Sequence, residues 1–186
     1  MDPDAELVAR IAGGSQAALE ELYRRHAPRV FALLLRMLGS REEAEEVLQD
    51  SFFQLYKEAR RYQKERGAVT TFLFTISRNL ALSRLRARRA RPQKDEGRDL
   101  HDPEQELGFT QNHDPEGRVM VREALSRLSP EERLLLDEAF FMGYSHSDLA
   151  ERHKMPLGTV KTKVRNALLR LREFLGGKSV SDREEA

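Results

Sequence analysis

The hydrophobic positions of this chain recur at three- and four-residue intervals, and no stretch alternates with the period of two that marks a half-buried strand. The expected fold is therefore all-α. A first helix is expected from Pro3 to Ala12, ended by Gly13-Gly14. Ser15 is placed to N-cap a long second helix through ALEELYRRHAPRVFALLLRML, with Gly39 just past its end. Pro28 is expected to kink that helix, because its ring removes an amide donor and clashes with the preceding turn. Ser40 and Glu43 have capping-box spacing at the head of a third helix, which runs to Arg61. The loop QKERGAV leads to a fourth, starting at Thr70 or Thr71 and continuing through FLFTISRNLALSRLRARR.

The pattern then lapses. Residues 92–117 combine low hydrophobicity with prolines and acids and read as a flexible acidic linker. Periodicity resumes in a helix from about Glu116 to Leu128. Ser129, Pro130 and Glu132 then supply an N-cap, a first helical residue and the closing acid of a box. Gly143 ends that helix. Ser145 and Asp148 box a short helix reaching His153, and a last helix from Leu157 to Leu175 is expected to stop at Gly176-Gly177. The chain thus divides into two small helical domains, 1–91 and 118–177, joined by the linker 92–117 and followed by a tail, 178–186.

The third helix carries two adjacent phenylalanines. Neighbours on a helix point about 100° apart, so one narrow core stripe cannot take both. Ala44, Val47, Leu48, Ser51, Phe52 and Leu55 form a core stripe at helical spacing. Glu46, Gln49, Asp50 and Phe53 form a second, polar and acidic, in which Phe53 either packs on a neighbouring helix or meets a partner.

The segment GYSHSDLAERHKMPLGTVKTKVRNALLRLREFL has helix-turn-helix form: a short helix with small Ala150, a tight HKMP connection, and a longer helix. Val160, Val164, Leu168, Leu171 and Leu175 are the expected core stripe of the longer helix. Thr159, Lys161, Thr162, Lys163, Arg165 and Asn166 occupy its first half, the part that enters a major groove in this motif. They are the side-chain types that read base edges or grip phosphates.

A net charge of +1 conceals a strong asymmetry. Residues 78–91 and 152–172 hold Arg and Lys without any Asp or Glu, and the acidic linker lies between them. Two basic blocks suggest polyanion binding at two places. The absence of cysteine excludes disulfides, thiolate metal sites and a catalytic thiol. His26, His101, His113, His146 and His153 fall in no zinc-hydrolase spacing; His146 and His153 read as surface residues. With no phosphate-cradling glycine loop either, no enzymatic activity, cofactor or metal is expected. The N-terminus has no signal-peptide core, and the longest apolar run is interrupted by Arg36 and too short for a membrane.

Three motifs in order, AEEVLQDSFFQLYK, TTFLFTISRNLALSRLR and LSPEER followed by the helix-turn-helix, resemble those of the group IV, or extracytoplasmic function (ECF), sigma factors of bacterial RNA polymerase. The resemblance spans Leu7 to Leu175. It implies a non-enzymatic promoter-specificity subunit, cytoplasmic, without membrane insertion, held near the membrane where an anti-sigma factor anchors it. Its implied partners are core RNA polymerase, mainly the largest catalytic subunit and the flap of the second subunit, then promoter DNA, then an anti-sigma factor. Glu46, Gln49, Asp50 and Phe53 would dock on polymerase. Tyr62, Lys64, Glu65, Arg66, Phe72, Arg78, Asn79 and Arg84 would capture the opened −10 strand, where aromatics interleaved with cations suit stacked single-stranded bases. The last helix would read the −35 element. Phe72 stands where members usually carry Trp, Asn166 where an Arg is common, and Asp148-Leu149 where Glu-Ile is common. The linker would thread toward the RNA path of polymerase, or fold back to mask the basic domains.

Two other readings compete on residues alone. A dimeric helix-turn-helix regulator would use the C-terminal motif but has no need of the aromatic-basic N-terminal segment. A helical adaptor would keep the Phe53 face and bind no DNA.

Overall fold

The computed structural model describes residues 3–90 and 115–181, so the expectations for the linker between Arg91 and Asp114 and for the last five residues lie outside it. All regular structure among the described residues is helical. The helices are α1 (Pro3–Ala12), α2 (Gln16–Leu38), α3 (Arg41–Glu58) and α4 (Val69–Ala90), then α5 (Pro115–Ser126), α6 (Pro130–Phe140), α7 (His146–Arg152) and α8 (Leu157–Ser181). Two 3-10 turns, Ala59–Arg61 and Lys64–Arg66, join α3 to α4. The chain forms two compact units, Met1–Phe109 and Thr110–Ala186.

In the first unit α2 packs against α1, α3 and α4, and α3 against α4. Ser15 Oγ accepts from the Ala18 N–H at the head of α2. At the end of α1, Gly14 takes φ 89° while the Ser15 N–H donates to the Arg10 carbonyl at 3.0 Å, a glycine-dependent helix stop. Helix α2 stays helical through Pro28 and ends at Gly39, whose φ of 69° suits a residue without Cβ. Only half of the capping box at α3 forms: Ser40 Oγ accepts from the Glu43 N–H, while Glu43 Oε2 is buried without a hydrogen-bond partner. The core is built from Leu22, Leu34, Met37 and Leu38 of α2, Leu55 of α3 and Leu73 of α4, all fully buried. A polar contact also fastens α1 to α2. Buried His26 Nε2 lies 2.7 Å from Asp4 Oδ2, and Arg25 donates to the other oxygen at 3.0 Å.

In the second unit α5, α6 and α7 pack against α8 around Leu135, Leu149, Val160 and Val164. Both expected capping boxes close, Ser129 with Glu132 and Ser145 with Asp148. Helix α5 begins at Pro115, one residue before the expected start at Glu116, and ends at Ser126, two residues short of the expected Leu128. Helix α8 continues past Gly176-Gly177 to Ser181, because glycine lowers helix propensity by about 1 kcal/mol without forbidding the conformation.

The expected core stripe of α8 needs correction. Val160, Val164 and Ala167 are buried, whereas Leu168 is 54% exposed. At 100° per residue Ala167 lies about 20° from Val160 on the helix and Leu168 about 80°. Size drew the expectation to leucine; geometry selects alanine.

Glu132 has an acid-sensitive role. The Ser129 backbone N–H donates to it at 3.0 Å, and Arg170 NH1 donates to both its oxygens at 3.0 and 2.9 Å. The Ser129 backbone bond first, then the Ser129 side chain and the charges of Arg170 and Lys163, hold its carboxyl below the ordinary value against the opposing effect of burial. A depressed carboxyl stabilises the fold fully above its unfolded pKa, about 4.3. That contribution disappears as pH falls through the lower folded value. Thermal unfolding of the natural chain between pH 7 and pH 3 is therefore expected to lose more stability in the acid limb than unfolding of Glu132→Gln, in which no proton is taken up at this position. Parallel pH profiles would exclude the role.

Candidate functional site and nucleic-acid interfaces

Helix α3 resolves the question of its two phenylalanines. Ala44, Val47, Leu48, Ser51, Phe52 and Leu55 are all buried. Phe52 packs on Tyr23 of α2 with ring centroids 4.7 Å apart. Phe53 is 57% exposed, and the Lys57 ammonium lies over its ring, 4.1 Å from the centroid. Glu46, Gln49 and Asp50 are exposed as well, so the second stripe is an open acidic face around Phe53, with exposed Tyr56 one turn further along. Beside it, between α2 and α3, lies a groove of about 410 Å³ lined by Tyr23, Ala27, Pro28, Phe31, Leu48 and Gln49, among others. Tyr23, itself exposed, extends the open apolar surface and escaped the sequence reading. The signal available was its place in the polar run LYRRH, away from the core positions of α2.

The loop before α4 is ordered by an aromatic pair. Tyr62 and Phe72 meet with centroids 5.7 Å apart at 45°, and the Tyr62 hydroxyl donates to the Gly67 carbonyl at 3.0 Å. Gly67 takes φ 140°, which permits the turn between the 3-10 segment and α4. Lys64, Glu65 and Arg66 project from that 3-10 turn and are exposed, as is Asn79. Phe72 and Phe74 are half-buried, and Ile76 is core, together with Leu73 and Ser77. Burial first, and repulsion from Arg86 second, draw the Arg78 guanidinium below its ordinary value. Arg84 lies further along α4 and donates to Glu46 Oε2 of α3 at 2.7 Å. This contact joins a residue of the expected docking stripe to one of the expected DNA-contacting set.

The helix-turn-helix is α7, a turn and α8. Its turn is a Schellman-type stop: Met155 N–H donates to the Ala150 carbonyl at 2.9 Å and Lys154 N–H to Glu151 at 3.3 Å. Lys154 occupies the left-handed position at φ 51°, where glycine is usual. Thr159, Lys161, Thr162, Arg165 and Asn166 are exposed on α8, and Thr162 Oγ1 donates to the Gly158 carbonyl at 2.8 Å. Lys163 is half-buried and paired with Glu131 of α6, two turns of α8 before Arg170, which pairs with the adjacent Glu132. In this structure Lys163 therefore fastens α8 to the head of α6, apart from the open face formed by its neighbours.

Helix α7 is held from behind by Glu138 of α6, which is 5% exposed. His153 Nε2 lies 2.5 Å from one of its oxygens and Arg152 donates to the other at 3.4 Å. The Arg152 guanidinium also covers the Tyr144 ring at 4.6 Å. His146 is exposed as expected, but His153 is half-buried and internally paired. A buried acid on one helix and a histidine fifteen residues later give no local sequence pattern, so this contact was not legible.

Comparison with known proteins agrees with this architecture. The family model Sigma-70 region 2 matches residues 22–91, and Sigma-70, region 4 matches residues 124–173. The ECF RNA polymerase sigma factor RpoE of Cereibacter sphaeroides is 33% identical over 163 residues, covering 86% of this chain and 87% of that protein. SigK of Mycobacterium tuberculosis is 28% identical over 176 residues, covering 94% of each. A solved structure of Rhodobacter sphaeroides SigE in complex with the anti-sigma ChrR is 27% identical, covers 93% of this chain and 98% of that one, and has a TM-score of 0.48.

A region 2 match on the helical unit that carries the open stripe of α3, and a region 4 match on the helix-turn-helix, define the class: a sigma-70-type transcription initiation factor. Within that class the chain belongs to the ECF family of RNA polymerase sigma factors. It is an alternative sigma factor, non-enzymatic, that directs transcription initiation through core RNA polymerase and promoter DNA. No described helix is long and apolar enough to cross a membrane.

Proposed function

We propose that the two units divide the work of promoter recognition. Residues 1–91 dock on the largest catalytic subunit of polymerase through Glu46, Gln49, Asp50 and Phe53, and capture the opened −10 strand. The capture residues are Tyr62, Lys64, Glu65, Arg66, Phe72, Arg78, Asn79 and Arg84. Residues 118–177 read the −35 element through Thr159, Lys161, Thr162, Arg165 and Asn166 while meeting the polymerase flap, with Lys163 acting behind them. Residues 92–117 tether the two readers, so the second contact becomes effectively intramolecular and two weak interactions give one specific binder.

The observation that carries this reading is the split of α3 into a wholly buried stripe and an open acidic stripe with Phe53 at its end. A free protein gains nothing from an exposed aromatic, whereas burial against a partner yields about 1.5–3 kcal/mol. At the −10 reader, Phe72 is already in contact with Tyr62, so it forms part of a stacking platform and need not act as a lone wedge. Flipping a base costs a few kcal/mol, which such a platform and the exposed Asn79 amide can offset. An anti-sigma partner is proposed on family membership alone, with a cytoplasmic setting and tethering at the membrane where that partner is anchored. Since this chain has no cysteine, thiol-based sensing would reside in the partner.

Reconstituted holoenzyme separates the assigned roles. Asn79→Ala is expected to reduce discrimination between the natural −10 base and its substitutes in run-off transcription, with −35 discrimination unchanged. Equal loss at both elements would reject the assignment of Asn79 to the −10 element.

A further inference from the structure

Glu46 and Arg84 stand 38 residues apart in sequence, yet their side chains meet at 2.7 Å across α3 and α4. Both remain accessible, with side-chain exposures of 63% and 40%. Glu46 shares its open stripe with Gln49, Asp50 and Phe53. Arg84 belongs to the stretch from Arg78 to Arg91, which holds no acid of its own, so the acid that meets it comes from another helix. Each side chain thus occupies the charge that the other would offer to a partner.

We propose that the Glu46–Arg84 ion pair couples polymerase docking to DNA capture. The inference rests on the assignment of Glu46 to polymerase and Arg84 to promoter DNA. A cation on polymerase must compete with Arg84 for the Glu46 carboxylate, and a phosphate must compete with Glu46 for the Arg84 guanidinium. Whichever partner binds first breaks the pair. The second finds its contact residue already released and binds more tightly. By linkage the gain is the same in either order. An exposed pair is worth little, so the coupling amounts to about a two- to five-fold change in affinity, and it weakens with added salt. The geometry that makes this possible is local to the first unit, where α3 and α4 pack against each other. Glu45, one residue away, makes its ion pair within α3 with Arg41 at 3.0 Å and provides no such link.

The test is core polymerase affinity in the absence of DNA, measured for the full natural chain, Arg84→Gln, Glu46→Gln and the double variant. Arg84→Gln removes the internal competitor and is expected to tighten binding to polymerase about two- to five-fold at low salt. The same substitution placed on Glu46→Gln is expected to change nothing, since there is no carboxylate left to release. An unchanged or weakened affinity for Arg84→Gln overturns the coupling, as does a gain that persists in the double variant. Failure of the natural chain to bind core polymerase would instead overturn the docking assignment on which the inference rests.

Discussion

Phe53→Ala is expected to weaken binding to core RNA polymerase about 10- to 150-fold, the equivalent of about 1.5–3 kcal/mol of apolar burial, while leaving thermal stability nearly unchanged. Phe52→Ala is expected to do the reverse. Its ring is 4% exposed and packed against Tyr23, so truncation leaves a cavity in the first unit and costs about 3–5 kcal/mol of folding stability. Thermal unfolding and co-elution with polymerase, run on both variants, separate the two effects. If Phe53→Ala co-elutes as well as the natural chain, the ring has no docking role. If it unfolds early, the ring belongs to the core despite its exposure. The contrast is demanding because the two residues are chemically identical and adjacent, and only the 100° step of the helix sends one inward and the other out.

That step explains why α3 was legible from sequence. Its buried stripe contains large apolar residues at nearly every turn, and the exposed stripe contains acids and an amide, so period alone sorts them. Helix α8 was less legible. Its buried stripe passes through Ala167, too small to announce itself, while Leu168 beside it mimics a core residue. The caps were legible because capping is local: Ser15, Ser129 and Ser145 sit within three residues of the amides they satisfy. Charge pairing was not. Glu46 with Arg84, Glu138 with His153, and Glu131 with Lys163 all join residues far apart in the chain, and charge composition alone gives no register for them. The family resemblance pointed to the two segments that the region 2 and region 4 models match. The structure adds which way each side chain faces.

Facing direction sets the second large prediction, on α8. Relative to buried Val160, Lys163 lies about 60° around the helix and Arg165 about 140°, so Lys163 leans toward α6 and Arg165 points away from the core. Arg165→Ala is expected to weaken holoenzyme binding to duplex carrying the −35 element about 5- to 150-fold, corresponding to about 1–3 kcal/mol if the guanidinium reads a base edge. Lys163→Ala is expected to leave that affinity nearly unchanged and to lower the stability of the second unit by up to about 1 kcal/mol, the scale of a partly exposed ion pair. A filter-binding titration at two salt concentrations with matched and mismatched −35 duplexes distinguishes a base contact from a phosphate contact. Loss of a base contact relaxes discrimination at one position, whereas loss of a phosphate contact weakens all duplexes alike and flattens the salt dependence. Should Lys163→Ala prove the more damaging to DNA binding, the Glu131 pairing must open on the promoter, and the recognition face would be wider than the free protein presents. Should both be neutral, the reading residues would have to lie elsewhere on the exposed face, with Lys161, Thr162 and Asn166 the next to substitute.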